Sequence, residues 1–134
     1  MTKLIYLVED DEAIIDVYKT GLELIGKFKV EAFDMCFKIK ERIKEIQEKK
    51  AKKPDLILLD LILPECNGVQ ILEELKKNNE TKDIPVFILT NYTSDEIKDR
   101  GIELGTRDYL TKTETTPTKL AEIVKERLGK NFKI

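Results

Sequence analysis

The chain has 134 residues, with 24 basic and 26 acidic side chains and a net charge of −2 at pH 7. This length suits one domain with a full hydrophobic core, and the balanced charge gives no general reason to bind nucleic acid or a membrane surface. The N-terminus does not resemble a signal peptide, and no apolar run is long enough to span a membrane, so we expect a cytoplasmic protein.

The sequence contains no histidine and two cysteines, Cys36 and Cys66. The missing histidine removes the commonest general base and excludes Ser-His and Cys-His nucleophile pairs. The cysteines lack the spacing of a metal site, so no zinc is expected. We predict that both thiols are reduced in the cytosol, and that Cys66 is inert rather than a sensor of oxidation.

The first half of the chain predicts two strands, each followed by a helix. The first strand, residues 3–8, ends in Glu9-Asp10-Asp11, and the helix after it stops at Gly26. The apolar stripe of this helix consists of Ile14, Tyr18, Leu22 and Ile25. The second strand covers residues 28–33, and the helix after it starts near Met35 and runs into a basic segment, residues 49–53, before Pro54. Its apolar stripe consists of Cys36, Ile39, Ile43 and Ile46.

The second half repeats this alternation three times. An unbroken apolar run at residues 56–59 predicts a strand buried on both faces, which ends at Asp60. The next helix covers residues 68–77, and a fourth strand at residues 84–89 ends in Thr90. A capping box at residues 93–96 opens a helix that runs to Gly105. The fifth strand, residues 108–111, ends at Lys112, and Thr116-Pro117 opens a last helix. That helix is predicted to bury Leu120, Ile123, Val124 and Leu128.

Strands that alternate with helices predict an α/β fold with a parallel sheet, right-handed crossovers and helices on both faces. We expect one domain over residues 1–129 and a short C-terminal tail over residues 130–134.

Polar side chains follow four of the five predicted strands: Glu9 and Asp10, Asp60, Thr90, and Lys112. The ends of parallel strands share one edge of a sheet, where such folds bind ligands. Each residue alone has an ordinary explanation as a cap or as solvated surface. Together, the clustered carboxylates would repel one another without a cation, and Mg²⁺ suits oxygen ligands and phosphate. An Asp60 oxygen could then act as a nucleophile, with Lys112 and Thr90 contacting a phosphoryl group.

The chain resembles the receiver domain of two-component response regulators over nearly its whole length. The matching segments are residues 7–11, 55–64, 67–68, 85–90 and 105–112. The resemblance implies a flavodoxin-like, doubly wound sheet of five parallel strands in the order 2-1-3-4-5, with five helices. It also implies that Asp60 is the phosphoacceptor and that Lys112 binds the phosphoryl group. Thr90 and Tyr109 would form the switch pair.

The same resemblance implies a Mg²⁺ site. Glu9 and Asp10 would form the acidic pair, with Asp10 as a direct ligand, and Asp60 and the Ile62 carbonyl would complete the protein ligands. The residues expected to modulate access of water to the phosphoryl group are Ile62, Asn91 and Tyr92. Ile62 and Tyr92 are bulky, so we expect slow self-dephosphorylation; Asn91 is ambiguous, since it could crowd the phosphoryl group or donate a hydrogen bond to it.

The sequence departs from the receiver pattern at four points. Asn91 stands where a small residue is common after the switch threonine, and Thr113 stands where proline commonly follows the lysine. A cis bond without proline costs roughly 3 kcal/mol, so we predict a trans Lys112–Thr113 bond. The second helix looks about two turns longer than usual, with a basic end (residues 49–53) that we interpret as a solvated terminus favouring the helix dipole. We expect no output domain after the last helix.

We therefore expect a stand-alone receiver that takes a phosphoryl group from a histidine kinase or a histidine phosphotransfer protein. It would catalyse only its own phosphorylation and slow dephosphorylation, and it would signal to a downstream protein through the face of helix 4, strand 5 and helix 5. The alternative is a degenerate receiver that never carries phosphate and acts as an interaction module. Two enzyme classes fit less well: a dehalogenase-type phosphatase needs an acid at Ile62, and a flavodoxin needs a Gly-rich loop at residues 9–11.

Overall fold

In the computed structural model, which describes residues 2–91 and 95–131, strands and helices alternate as predicted. The strands are β1 (Leu4–Val8), β2 (Lys29–Phe33), β3 (Leu56–Leu59), β4 (Val86–Thr90) and β5 (Asp108–Thr111). The helices are α1 (Glu12–Leu24), α2 (Cys36–Gln47), α3 (Gly68–Lys76), α4 (Asp95–Glu103) and α5 (Pro117–Asn131), and a 3₁₀ turn covers Lys112–Glu114. None of the helices in these ranges is both long and apolar enough to cross a membrane.

The five strands of the described chain form one parallel sheet in the order β2-β1-β3-β4-β5, which confirms the predicted fold class. The three inner strands, β1, β3 and β4, are buried along their whole length. Their uninterrupted apolar sequences are explained by this position, because both faces of an inner parallel strand are covered by helices.

Each face of the sheet has its own hydrophobic core, because successive side chains of a strand point to opposite faces. On one face, Tyr6 and Val8 of β1 pack with the apolar stripes of α2 and α3. On the other face, Ile5 and Leu7 pack with α1 and α5. The predicted stripe of α2 is fully buried, whereas Ile25, placed on the stripe of α1, lies after the last residue of that helix and is 39% exposed.

The second helix is shorter than predicted. It ends at Gln47, and Lys49 adopts a positive φ of 61°, so the basic segment of residues 49–53 lies outside the helix. The predicted extension was therefore wrong. The lysines of residues 49–53 do not form the last turn of α2, so they do not interact with the helix dipole from that position. Lys49 and Lys53 instead lie 3.9 and 3.7 Å from carboxylate oxygens of Glu80.

The two cysteines form a disulfide bond, which corrects the prediction of reduced thiols. Cys36 is the first residue of α2, and Cys66 lies in the loop between β3 and α3. Their Cα atoms are 6.2 Å apart although 30 residues separate them along the chain. The proximity arises because α2 begins at the same edge of the sheet at which β3 ends.

The ends of two predicted elements lie outside the described residues. The capping box that was expected to open α4 begins at Thr93, and residues 92–94 are not described. Helix α5 continues to Asn131, so the first residues of the predicted 130–134 tail belong to this helix. The division into a domain of residues 1–129 and a tail stays a prediction.

Candidate functional site

The carboxyl edge of the sheet holds a cleft of about 480 Å³. It is lined by residues from the loops after β1, β3, β4 and β5: Asp10, Asp60, Ile62, Leu63, Pro64, Thr90, Asn91 and Lys112. The parallel topology explains this convergence, because residues as far apart in the chain as Asp60 and Lys112, 52 positions, emerge at the same edge. The structure thus brings together most of the residues that the sequence indicated.

Three carboxylates form the acidic part of this site. Glu9, Asp10 and Asp60 each offer an oxygen within 4.8 Å of the others. Glu9 and Asp60 are buried, whereas Asp10 is exposed at the mouth of the cleft. Several carboxylate oxygens with a net negative charge fit a hard divalent cation such as Mg²⁺. This ion prefers oxygen ligands such as carboxylates and usually keeps several water molecules as its remaining ligands.

Lys112 provides the positive charge opposite these acids. Its ammonium forms ion pairs with Glu9 and with Asp60, the latter at 2.5 Å between Nζ and Oδ2, and only 10% of its side chain is exposed. Burial lowers the pKa of Lys112, but the hydrogen bonds to Asp60 and Glu9 outweigh this effect and the pKa is raised. Burial raises the pKa of Glu9 despite the opposing contacts with Lys112 and the Asp11 backbone. Lys112 is therefore held in its charged form beside Asp60.

Backbone groups fix the orientation of the buried acids. The Asp11 N–H donates to Glu9 Oε2 at 3.0 Å, and the Ile62 N–H donates to Asp60 Oδ1 at 3.1 Å. Asp11 also caps α1, since its side chain accepts hydrogen bonds from the N–H groups of Ala13 and Ile14. The two oxygens of Asp60 thus have different partners, one backbone amide and one ammonium.

The loop after Asp60 folds back on itself and leads directly into α3. Ile62 and Asn67 form an antiparallel bridge, and the side chain of Asn67 caps α3 by accepting from the Gln70 N–H. Gly68 packs so closely that an added Cβ would lie 2.5 Å from the carbonyl oxygen of Asp60. The Asn67-Gly68 pair in the sequence is explained by these two requirements, a cap and a close backbone approach.

The remaining predicted site residues surround the cleft at different depths. Thr90 is buried at the end of β4, and Ile62 is 51% exposed at the rim. Tyr109 is half-buried, and the Lys98 ammonium of α4 lies 5.7 Å from the centre of its ring. Tyr92, predicted to modulate access, lies outside the described residues, so that prediction stays open.

Asn91 has a partner that the sequence did not reveal. Its Oδ1 accepts a hydrogen bond from the Thr113 N–H at 3.0 Å. The Lys112–Thr113 peptide bond is trans, as predicted, since the described residues contain no cis peptide bond. The sequence did contain a signal for this contact, since Asn91 and Thr113 both depart from the receiver pattern.

Tyr18, expected on the apolar stripe of α1, is buried and also makes a polar contact. Its hydroxyl donates to the Thr115 carbonyl at 2.7 Å and so ties α1 to the loop that follows Lys112. No local sequence pattern indicates this hydrogen bond, which joins residues 97 positions apart.

Known proteins are similar to this chain in both sequence and fold. The family model for the response regulator receiver domain matches residues 5–125. The phosphate regulon transcriptional regulatory protein PhoB of Escherichia coli is 38% identical over 112 residues, which cover 84% of this chain and 46% of that protein. The chain therefore spans about half the length of the curated relatives it matches, RpaA of Synechocystis being another.

Two solved structures are similar over nearly their whole length. A receiver domain protein of Methanospirillum hungatei superposes with a TM-score of 0.83 at 29% identity, covering 99% of this chain and 98% of the other. The phosphorylated cyanobacterial phytochrome response regulator RcpA gives a TM-score of 0.82 at 28% identity, with 98% and 96% covered.

Proposed function

Since this chain belongs to the receiver domain family of two-component response regulators, we propose that it accepts a phosphoryl group on Asp60 and passes the signal to a partner protein. The observation that carries this proposal is the environment of Asp60, a buried carboxylate at an open cleft with an ammonium on one oxygen and a backbone amide on the other. The proposal is also supported by RcpA, a similar response regulator whose structure is of a phosphorylated form.

The proposed reaction is a transfer from a phosphohistidine of the partner. A carboxylate oxygen of Asp60 attacks the phosphorus, the new O–P bond forms, and the N–P bond to the partner's imidazole breaks. The electron pair of that bond stays on the imidazole nitrogen, which leaves as part of the partner. The histidine has to come from the partner because this chain contains none. Such a donor is a histidine kinase or a histidine phosphotransfer protein.

Lys112 and Thr90 would stabilise the transferred group. The Lys112 ammonium already contacts Asp60 Oδ2, so it lies where charge develops on the phosphoryl oxygens. Thr90 lines the same cleft and offers a hydroxyl donor.

A divalent cation, Mg²⁺ in the cell, would be held by Asp10, Asp60 and the Ile62 carbonyl, with Glu9 behind them. When bound, it would neutralise part of the phosphoryl charge. The three carboxylates fit this role by their oxygen donors and their spacing. Receiver domains are signalling domains rather than ordinary enzymes, and the catalysis we propose here is limited to the protein's own phosphorylation and slow dephosphorylation.

The proposed output is a change on the surface formed by α4, β5 and α5. Thr90 would move toward the phosphoryl oxygens, and Tyr109 would turn into the space that Thr90 leaves, a two-state element biased by a local charge. Thr90 and Tyr109 lie on the neighbouring strands β4 and β5, which pair in register at Ile88 and Tyr109. The downstream partner would recognise this surface.

We propose that the phosphoryl transfer takes place in the cytoplasm. The relative PhoB is a transcriptional regulatory protein, and such a protein acts in the compartment that contains the DNA.

The experiment is to incubate the protein with a small-molecule phosphodonor, with and without Mg²⁺, and to map the modified residue by mass spectrometry. We expect Mg²⁺-dependent modification of Asp60 and none in Asp60→Asn, which keeps the shape but removes the nucleophilic oxygen. Asp16→Asn, an exposed acid on α1, is the matched control and should leave the reaction unchanged. Absence of modification in the wild type would favour the degenerate interaction module, and modification of Asp60→Asn at position 60 would refute the assignment.

A further inference from the structure

One hydrogen bond joins the two loops that carry Thr90 and Lys112. Asn91 directly follows Thr90 at the end of β4, and Thr113 directly follows Lys112 after β5. The Thr113 N–H donates to Asn91 Oδ1 across 22 residues of chain, at 3.0 Å. Both residues are exposed, and Asn91 lines the cleft together with Asp60 and Lys112. The bond therefore lies at the rim of the candidate site.

This bond fixes which end of the Asn91 amide is available to an occupant of the cleft. A backbone N–H only donates, so the end of the amide that faces Thr113 has to be the oxygen. The end that is left is the NH₂ group, which only donates. A donor suits an anion with several acceptor oxygens, and charge-assisted hydrogen bonds of this kind are stronger than neutral ones.

The two residues that form this bond, Asn91 and Thr113, are also two of the positions at which the sequence departs from the receiver pattern. A proline at position 113 would have no N–H to donate, and a small apolar residue at position 91 would have no oxygen to accept. The two replacements therefore depend on each other: Asn91 has a bonded oxygen because Thr113 is not proline.

We infer that Asn91 is an anion-binding residue of this site, that its NH₂ group contacts the phosphoryl group, and that the Thr113 backbone amide positions it. This inference rests on the proposed phosphorylation of Asp60 and names a further ligand of the same group. It also decides between the two roles considered for Asn91. An NH₂ group held in place by the Thr113 bond would donate a hydrogen bond to the phosphoryl group and stabilise it, rather than crowd it. The role of Thr113 is indirect and is confined to its backbone N–H.

The first test measures the hydrogen bond without any phosphate present. Hydrogen exchange of the Thr113 amide, followed by NMR, should be slow in the wild type and faster in Asn91→Ala. Asn91→Asp keeps an acceptor oxygen and should retain the slow exchange. Fast exchange of the Thr113 amide in the wild type, or equal exchange in Asn91→Ala, would overturn the inference.

The second test measures binding of beryllofluoride, an analogue of the phosphoryl group, in the presence of Mg²⁺. Loss of one hydrogen bond to a charged group corresponds to roughly a tenfold weaker affinity, which we expect for Asn91→Ala. Asn91→Asp should bind no better than Asn91→Ala, because it has no donor and adds a negative charge. Thr113→Pro should also weaken binding, whereas Thr113→Ala, which keeps the N–H, should bind like the wild type.

A double-mutant cycle separates this mechanism from a general loss of structure. Once Asn91 is alanine, the Thr113 amide has nothing to position, so the Asn91→Ala/Thr113→Pro protein should bind like Asn91→Ala alone. Additive losses of beryllofluoride affinity in the double mutant, or wild-type affinity in Asn91→Ala, would refute this inference and leave the proposed phosphorylation standing. A wild-type protein that binds no beryllofluoride with Mg²⁺ would refute the proposed phosphorylation and this inference with it.

Discussion

Reduction of the Cys36–Cys66 disulfide should lower the stability of the domain substantially. Most disulfides are reduced in the cytosol, so this perturbation is also the one that a cytoplasmic receiver would meet. The bond closes a loop of 30 residues that contains most of α2 and all of β3. The chain-entropy relation for a loop of that length gives about 3.6 kcal/mol at 25 °C. In a domain of this size the corresponding fall in Tm is on the order of 10–15 °C.

The assay is denaturant unfolding of the protein equilibrated with oxidised glutathione, compared with the same protein in a dithiol reductant. Alkylation and mass measurement report the state of the two thiols in each sample. Cys36→Ala/Cys66→Ala serves as the control, and its unfolding should not respond to the reductant. Equal unfolding free energies of the wild type in both conditions, or alkylation of both thiols in the oxidised sample, would refute this reasoning.

Three further changes test other parts of the site and its supports. Ile62→Asn should speed the decay of phosphorylated protein, because a bulky side chain at the rim is replaced by one that can orient water, and a decay no faster than that of the wild type would contradict this role. Gly68→Ala should cost roughly 1–3 kcal/mol, because the new Cβ would meet the carbonyl oxygen of Asp60 at 2.5 Å, whereas Gly129→Ala, with nothing within 4 Å, should not destabilise the protein. Tyr18→Phe should cost about 1 kcal/mol at pH 7 through the lost hydroxyl bond, as measured by denaturant unfolding. Burial raises the pKa of Tyr18 in the folded protein above the ordinary tyrosine value of 10.0, so the unfolded chain loses this proton first and stability falls as the pH rises past 10. Tyr18→Phe should show a smaller fall in stability over this pH range, and an equal fall would contradict the reasoning.

The strands and the positions of the acidic residues were predictable because they depend on local patterns. An unbroken apolar run followed by a carboxylate is enough to indicate a buried strand that ends at a polar edge, and β3 has the predicted bounds of residues 56–59. The parallel order then requires Asp60 and Lys112 to emerge at the same edge.

Contacts between segments far apart in the sequence were not predictable in the same way. The disulfide, the Asn91–Thr113 bond and the Tyr18–Thr115 bond each join residues at least 22 positions apart, and no periodicity records such a distance. The end of α2 was missed for a different reason. Lysines favour helices, so the basic segment continued the helical pattern, whereas the positive φ at Lys49 reflects the path the chain takes back to β3.

The pairing of Lys112 with the acidic cluster has a consequence for the order in which ligands enter the cleft. Three carboxylates and one ammonium give a formal charge of −2, from Glu9, Asp10, Asp60 and Lys112. A phosphoryl donor is itself an anion, and an anion that approaches an excess of like charge in a partly buried cleft is repelled. One divalent cation would bring the cleft to electroneutrality, so the cation should enter first and the donor second. The apparent affinity for the donor should then rise with Mg²⁺ concentration until the cation site is saturated.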